Sequence, residues 1–229
     1  MSASAIDFPA DVPERSRAST IGAKAVMAVT GIVLFGYVIG HLLGNLQIFL
    51  PNAKEDLRNY AAMLHRYPAL LWSVRIFLLI MLGLHIWSYI ALGTRKLKAR
   101  PIKYAKKRAV GSSLASRTMY WSGPFIAAYV VYHILHLTTG TAHPDFLEGD
   151  PYDNVVFGFR SYAVSTVYII AIILLCMHLY HGLWSWLQSL GLHHPRYSVF
   201  LRRVAAVIAI LIAVGYISIP VAVLTGLVQ

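Results

Sequence analysis

The chain has 229 residues, 58% of them hydrophobic and only 13% charged, and its apolar residues fall in long blocks. A soluble domain carries about 25% charged residues, so a water-soluble fold is excluded and the length is spent on membrane spans. The formal net charge of +11 invites a nucleic-acid reading, but the basic residues cluster between apolar blocks, where the positive-inside rule puts them. The single cysteine, Cys176, allows no disulfide framework.

The first twenty residues, MSASAIDFPADVPERSRAST, are polar and lack the apolar core of a secretory signal, so no cleavage is expected. Ser19 or Thr20 is placed to cap a first helix. The first span runs over about 24–50 and ends at Pro51 and Asn52. Gly36, Gly40 and Gly44 line one strip of it. They serve either close helix packing or room for a flat macrocycle beside His41. Residues 52–68 read as a short polar connection.

The second span, about 69–93, contains Arg75 and His85, and residues 95–117 then carry nine basic side chains and no acidic one. The third span, about 119–139, holds His133 and His136. Residues 141–153 contain Asp145, Glu148, Asp150 and Asp153 without a Lys or Arg. The fourth span, about 162–190, includes IILLCMHLYHGLWSW with His178 and His181. After a short basic stretch at 193–203, the fifth span, about 204–228, has neither charge nor histidine. Five spans of about 20 residues or more match a hydrocarbon core of about 30 Å. The expected fold is all-α: one membrane domain over 1–229, a bundle of five transmembrane helices. Basic second and fourth connections and an acidic third place the N-terminus in the cytoplasm and the C-terminus outside.

An ionisable side chain inside a span is costly and marks a functional site by default. At ~1.5 Å rise per residue, His41 lies ~24 Å and His133 ~20 Å from the cytoplasmic ends of their spans. His85 and His181 lie ~24 Å and ~28 Å from the external ends of theirs. Depth therefore pairs His41 with His133 in the outer half and His85 with His181 in the inner half. It does not choose between His133 and His136, or between His178 and His181, because each pair sits one turn apart on one helix face. Paired neutral imidazoles facing each other from neighbouring helices are what bis-histidine haem ligation needs.

Four stretches in this order and spacing, TGIVLFGYVIGHLLGN, LLIMLGLHIW, GPFIAAYVVYHILH and HLYHGLWSWLQSLG, carry a resemblance. From about residue 19 to 228 the chain resembles the single-chain, five-helix, dihaem cytochrome b anchor of succinate:quinone oxidoreductases, which include the fumarate reductases. The resemblance implies two b haems, the outer held by His41 and His133, the latter ten residues after Gly123. The inner would be held by His85 and by His181, the histidine of the His-Gly pair. It also implies flavoprotein and iron–sulfur subunits docked on the cytoplasmic face of a bacterial cytoplasmic membrane, and menaquinone or another quinone as the redox partner.

Secondary haem or propionate candidates are His136, His178, Arg75, Lys24, Ser19 and Arg117. Candidates for a quinone site at the outer end are His65, Glu55, Asn59 and Tyr60. The chain has no nucleotide-binding glycine pattern and no cysteine cluster, so it cannot oxidise succinate alone. The alternatives are a dihaem subunit of another respiratory complex, of the nitrate reductase or formate dehydrogenase type, and a divalent-metal transporter. The transporter is disfavoured because all nine acidic residues lie outside the spans.

Overall fold

The computed structural model describes residues 15–99, 114–191 and 194–229. Among the described residues all regular structure is helical. The helices are α1 Arg15–Asn45, α2 Ala53–His65, α3 Pro68–Lys98, α4 Leu114–Leu137, α5 Pro151–Arg160, α6 Tyr162–Ser189 and α7 Ser198–Leu224. Among the described residues four stretches are long and apolar enough to cross a membrane: Thr20–Phe49, Pro68–Lys98, Tyr162–Ser189 and Pro195–Leu224. The helix at the expected third span, α4, is not among them. Its two histidines, its tyrosines and its Ser122-Gly123-Pro124 step dilute its apolar character.

The cap expected at Ser19 or Thr20 does not form there. Helix α1 begins at Arg15, so both residues lie inside it. Its far end tightens into one 3-10 turn, Leu46–Phe49, before Pro51 stops it.

Helix α6 sits at the centre, packed against α7, α4 and α1, while α3 lies outside and leans on α1. Ser88 is the one buried residue of α3. Small residues set the closest approaches, as expected where lipid removes any hydrophobic drive between helices. A Cβ on Gly215 of α7 would stand 3.0 Å from the Leu42 methyls of α1. The Tyr216 hydroxyl donates to the Val38 carbonyl at 2.8 Å and ties the same two helices. Pro124 inside α4 leaves the Tyr120 carbonyl without its helical donor. The Tyr89 hydroxyl of α3 supplies one at 3.1 Å, which is how a broken ladder is satisfied in lipid.

The connections at one end of the bundle hold more structure than expected. Residues 52–68 are not a plain polar connection but contain the amphipathic helix α2, whose Ala53 and Leu57 are buried. Glu55 and Asp56 in its first turn and His65 in its last complement the helix dipole. The acidic 141–153 segment leads into α5, where Asp150 caps the N-terminus by accepting from the Asp153 N–H at 3.3 Å, with Pro151 in the first turn. Helices α2 and α5 pack together, clasped by Lys54 to Asp153 at 2.6 Å and Arg58 to Asp150 at 2.5 Å.

Beneath that clasp, Ile48, Leu57, Val156, Phe159, Tyr168 and Val223 form a continuous apolar core. All six acidic residues of the described part lie at this end of the chain path, called here the acidic end. The opposite, basic end carries Lys24, Arg95, Lys96, Lys98, Arg117, Arg202 and Arg203, with the Arg202 guanidinium 4.4 Å over the Trp184 ring. Lys103, Lys106 and Lys107 of the basic 95–117 segment lie outside the described residues.

Candidate functional site

The membrane histidines gather at two levels. Toward the acidic end, His41 of α1 and His133 of α4 bring their rings together with centroids 5.8 Å apart and planes at 83°. Toward the basic end, His85 of α3 faces His178 of α6 at 6.3 Å and 61°. The His85 ring lies over Gly31 of α1, whose missing side chain leaves Cε1 3.4 Å from where a Cβ would be. His41 is ten residues further along the same helix, so the two levels are about 15 Å apart along the axis. That is half of a hydrocarbon core of about 30 Å.

The centroid spacing of both pairs is the spacing that two axial imidazoles of one iron would have. A metal–nitrogen bond of about 2 Å on each side, plus about 1 Å from nitrogen to ring centre, puts two axial imidazole centroids about 6 Å apart. The interplanar angle is free, because each ring turns about its own metal–nitrogen axis. Nδ1 of His133 and Nδ1 of His178 are buried and have no hydrogen-bond partner among the described residues. Two of the three glycines of the strip make no close packing, since Gly36 and Gly40 are exposed. A Cβ on Gly36 or Gly40 would meet nothing within 4 Å, and only Gly44 is covered, by the Tyr60 ring at 3.3 Å. Gly123 of α4 and Gly182 of α6 are equally open.

The sequence left two choices that the structure addresses by orientation. His136 does not join His133 at the pair. It is buried one turn further along α4, hydrogen-bonded through Nδ1 to the Tyr168 hydroxyl at 2.9 Å and stacked on His143 at 4.7 Å. On α6 the ring opposite His85 is that of His178, and His181 lies one turn nearer the basic end.

The surroundings of the two pairs differ. Tyr37 stacks on His41 at 5.5 Å and 12°, and Tyr216 approaches the same ring at 6.3 Å. Tyr129 and Tyr168 stand 5.8 Å and 5.9 Å from His133. At the basic-end pair the neighbour is instead a hydroxyl, Thr30 Oγ1, 3.1 Å from His85 Nδ1.

The remaining candidates scatter. Arg75 is half-buried and stacked over Trp72 at 5.2 Å. Glu55 lines a cleft of about 460 Å³ at the acidic end, together with the 48–54 turn, Tyr152 and the 227–229 end. His65, Asn59 and Tyr60 do not line that cleft. His65 is exposed and bonded to the Ala61 carbonyl at 2.8 Å, Asn59 is exposed, and Tyr60 lies against Gly44. Lys24 and Arg117 are exposed near the basic end, and the Ser19 side chain lies outside the described ones.

His143, Asn154 and Tyr168 had no part in the sequence reading. His143 is buried, donating from Nε2 to the Asn154 carbonyl at 2.9 Å and accepting at Nδ1 from the Asp145 N–H at 3.2 Å. The Asn154 side chain makes two 2.7 Å bonds to the backbone of Leu147. Together they staple the 140–150 loop onto α5. Gly158 makes this possible, since a Cβ there would stand 2.7 Å from His136 Cε1. One signal was available: Tyr37/His41, Tyr129/His133 and Tyr132/His136 all share i, i+4 spacing, which stacks side chains on one helix face.

No family model matches the chain, and no curated protein or solved structure matches it either.

Proposed function

We propose that the chain is the membrane anchor and electron-transfer subunit of a succinate:quinone oxidoreductase in a bacterial cytoplasmic membrane. In this reading α4 is a fifth membrane helix and the basic end faces the cytoplasm, in keeping with the positive-inside rule. The observation that carries the proposal is the pairing of histidines from four different helices at two levels about 15 Å apart. One unrelated histidine can be a local hydrogen-bonding group, but two facing pairs at axial-ligand spacing have a common purpose.

His41 and His133 would hold the outer haem. His85 and His178 would hold the inner one, with His178 preferred over His181 because its ring is the one opposite His85. A b haem at each level would supply one-electron transfer at that level of the bilayer. The chain's own contribution is to keep the imidazoles neutral and facing, to exclude water with the packed α1, α4 and α6 surfaces, and to leave glycine-lined room. Arg75 would meet an anionic propionate or a quinone oxygen at the outer level.

A quinone reacting at the outer end would meet the Glu55 cleft, where a carboxylate relays protons. Flavoprotein and iron–sulfur subunits would bind the basic face that includes Arg95, Lys96, Lys98 and Arg117.

The test is to purify the chain with its associated subunits and measure haem b and succinate oxidation together. Two haems per chain, with succinate:quinone turnover, is the expected result. One haem or none in an intact preparation sinks the proposal. Glu55→Gln should then lower quinone turnover while succinate oxidation with a soluble dye continues.

A further inference from the structure

The basic-end pair has a contact with no counterpart at the acidic-end pair. Thr30 of α1 is 2% exposed and sits one residue before the glycine on which the His85 ring rests. Its hydroxyl is 2.7 Å from the Val26 carbonyl and 3.2 Å from the Met27 carbonyl, and 3.1 Å from His85 Nδ1. A hydroxyl has one proton to give. The shortest of the three contacts is to Val26, the i−4 carbonyl that a helical threonine ordinarily bonds. That leaves Oγ1 as an acceptor toward His85. That acceptor asks for the tautomer with the proton on Nδ1, which leaves the Nε2 lone pair free.

We infer that Thr30 is a positioning residue for the inner centre: by accepting the Nδ1 proton of His85 it fixes the ring's tautomer and rotation so that Nε2 faces a metal. The inference rests on the haem reading above. A hydrogen bond from the second nitrogen of a ligating histidine orients the ring and raises its basicity, and a more basic axial ligand favours oxidised iron. Among the described residues neither His41 nor His133 meets such an acceptor: His133 Nδ1 is buried without a partner, and the neighbours of His41 are rings. A mere interhelical tether would also use this bond, so the experiment must read the metal.

Thr30→Val keeps the shape and removes the acceptor, and Thr30→Ser restores it. Redox titration and low-temperature electron paramagnetic resonance of the purified complex are the readouts. In Thr30→Val the inner haem should titrate at a more positive potential and its low-spin signal should move, with the outer haem unchanged. Thr30→Ser should return both to wild type. Loss of the inner haem alone in Thr30→Val, with retention in Thr30→Ser, supports the same role. An inner haem with unaltered potential and signal in Thr30→Val, or an equal shift of both haems, overturns it. A wild-type chain that binds no haem defeats the underlying reading instead, which keeps the two failures apart.

Discussion

The two histidine pairs are built from different materials. The acidic-end pair is enclosed by aromatic rings: Tyr37, Tyr129, Tyr168 and Tyr216 all lie within 6.3 Å of one imidazole or the other. It is roofed by α2, α5 and the stapled 140–150 loop. The basic-end pair has one hydroxyl among the described residues, Thr30, and its α3 histidine rides on a helix with a single buried residue. The difference teaches where stability comes from in this bundle. Near the acidic end, side chains such as Leu57, Val156 and Phe159 leave the water-facing connections for a core, each worth about 1.5–3 kcal/mol. Deeper in lipid that drive vanishes, and the helices are held by shape and scattered hydrogen bonds.

The comparison breaks most severely if a ligand is removed. His41→Ala or His133→Ala should abolish the outer haem and keep the inner. His85→Ala or His178→Ala should do the reverse. A pyridine haemochrome count falling from two to one in each variant is the expected result, while His181→Ala should retain both. Loss in His181→Ala with retention in His178→Ala would instead return the inner ligand to the position implied by the family resemblance.

Overpacking the roof comes next. Gly158→Ala drives a methyl into His136 and His143, and such clashes cost about 1–3 kcal/mol. Thermal unfolding should show this loss, with the outer haem bleaching before the inner. His136→Ala should leave both haems in place. It strips the buried Tyr168 hydroxyl of its partner, a loss of about 1–3 kcal/mol, confined to the acidic end.

The smallest effect belongs to the clasp. Lys54→Ala removes an exposed ion pair and should cost about 0.2–1 kcal/mol. Burial alone would raise the Asp150 carboxyl. Hydrogen bonds from Arg58 and from the Asp153 N–H, with the charges of Arg58 and Lys54, outweigh it and hold the group below its usual value. A lowered carboxyl stabilises the fold above its unfolded value, about 3.9, and loses that contribution as pH falls through the folded value. Amide exchange in α2 and α5 should therefore quicken only below about pH 4, before exchange in α6 does.

Much of the deep architecture could be read from the chain itself. Long apolar runs put spans at 24–50, 69–93, 162–190 and 204–228, where α1, α3, α6 and α7 lie, with helix ends up to nine residues from the expected bounds. Histidine depth alone paired His41 with His133, because membrane helices rise regularly and must cross. What depth could not give was rotation. His178 and His181 differ by one turn on one face, and which of them meets His85 depends on how α6 turns against its neighbours.

The acidic-end roof was missed for a related reason. Helix α2 shows its pattern only through Ala53, Leu57, Tyr60 and Ala61, diluted by Lys54, Glu55, Asp56 and Arg58, and Lys54 and Arg58 look solvated until their partners Asp153 and Asp150 are known. His143 had no apolar run around it to mark it as buried. Thr30 looked like one more small polar residue in a span, since its partner is 55 residues away in sequence.

The most direct test of the central claim is electron paramagnetic resonance of the fully oxidised, purified protein with its subunits. Two low-spin ferric signals of equal weight per chain are predicted, one for each facing histidine pair. A single signal, or high-spin iron at either level, would contradict the two-centre account.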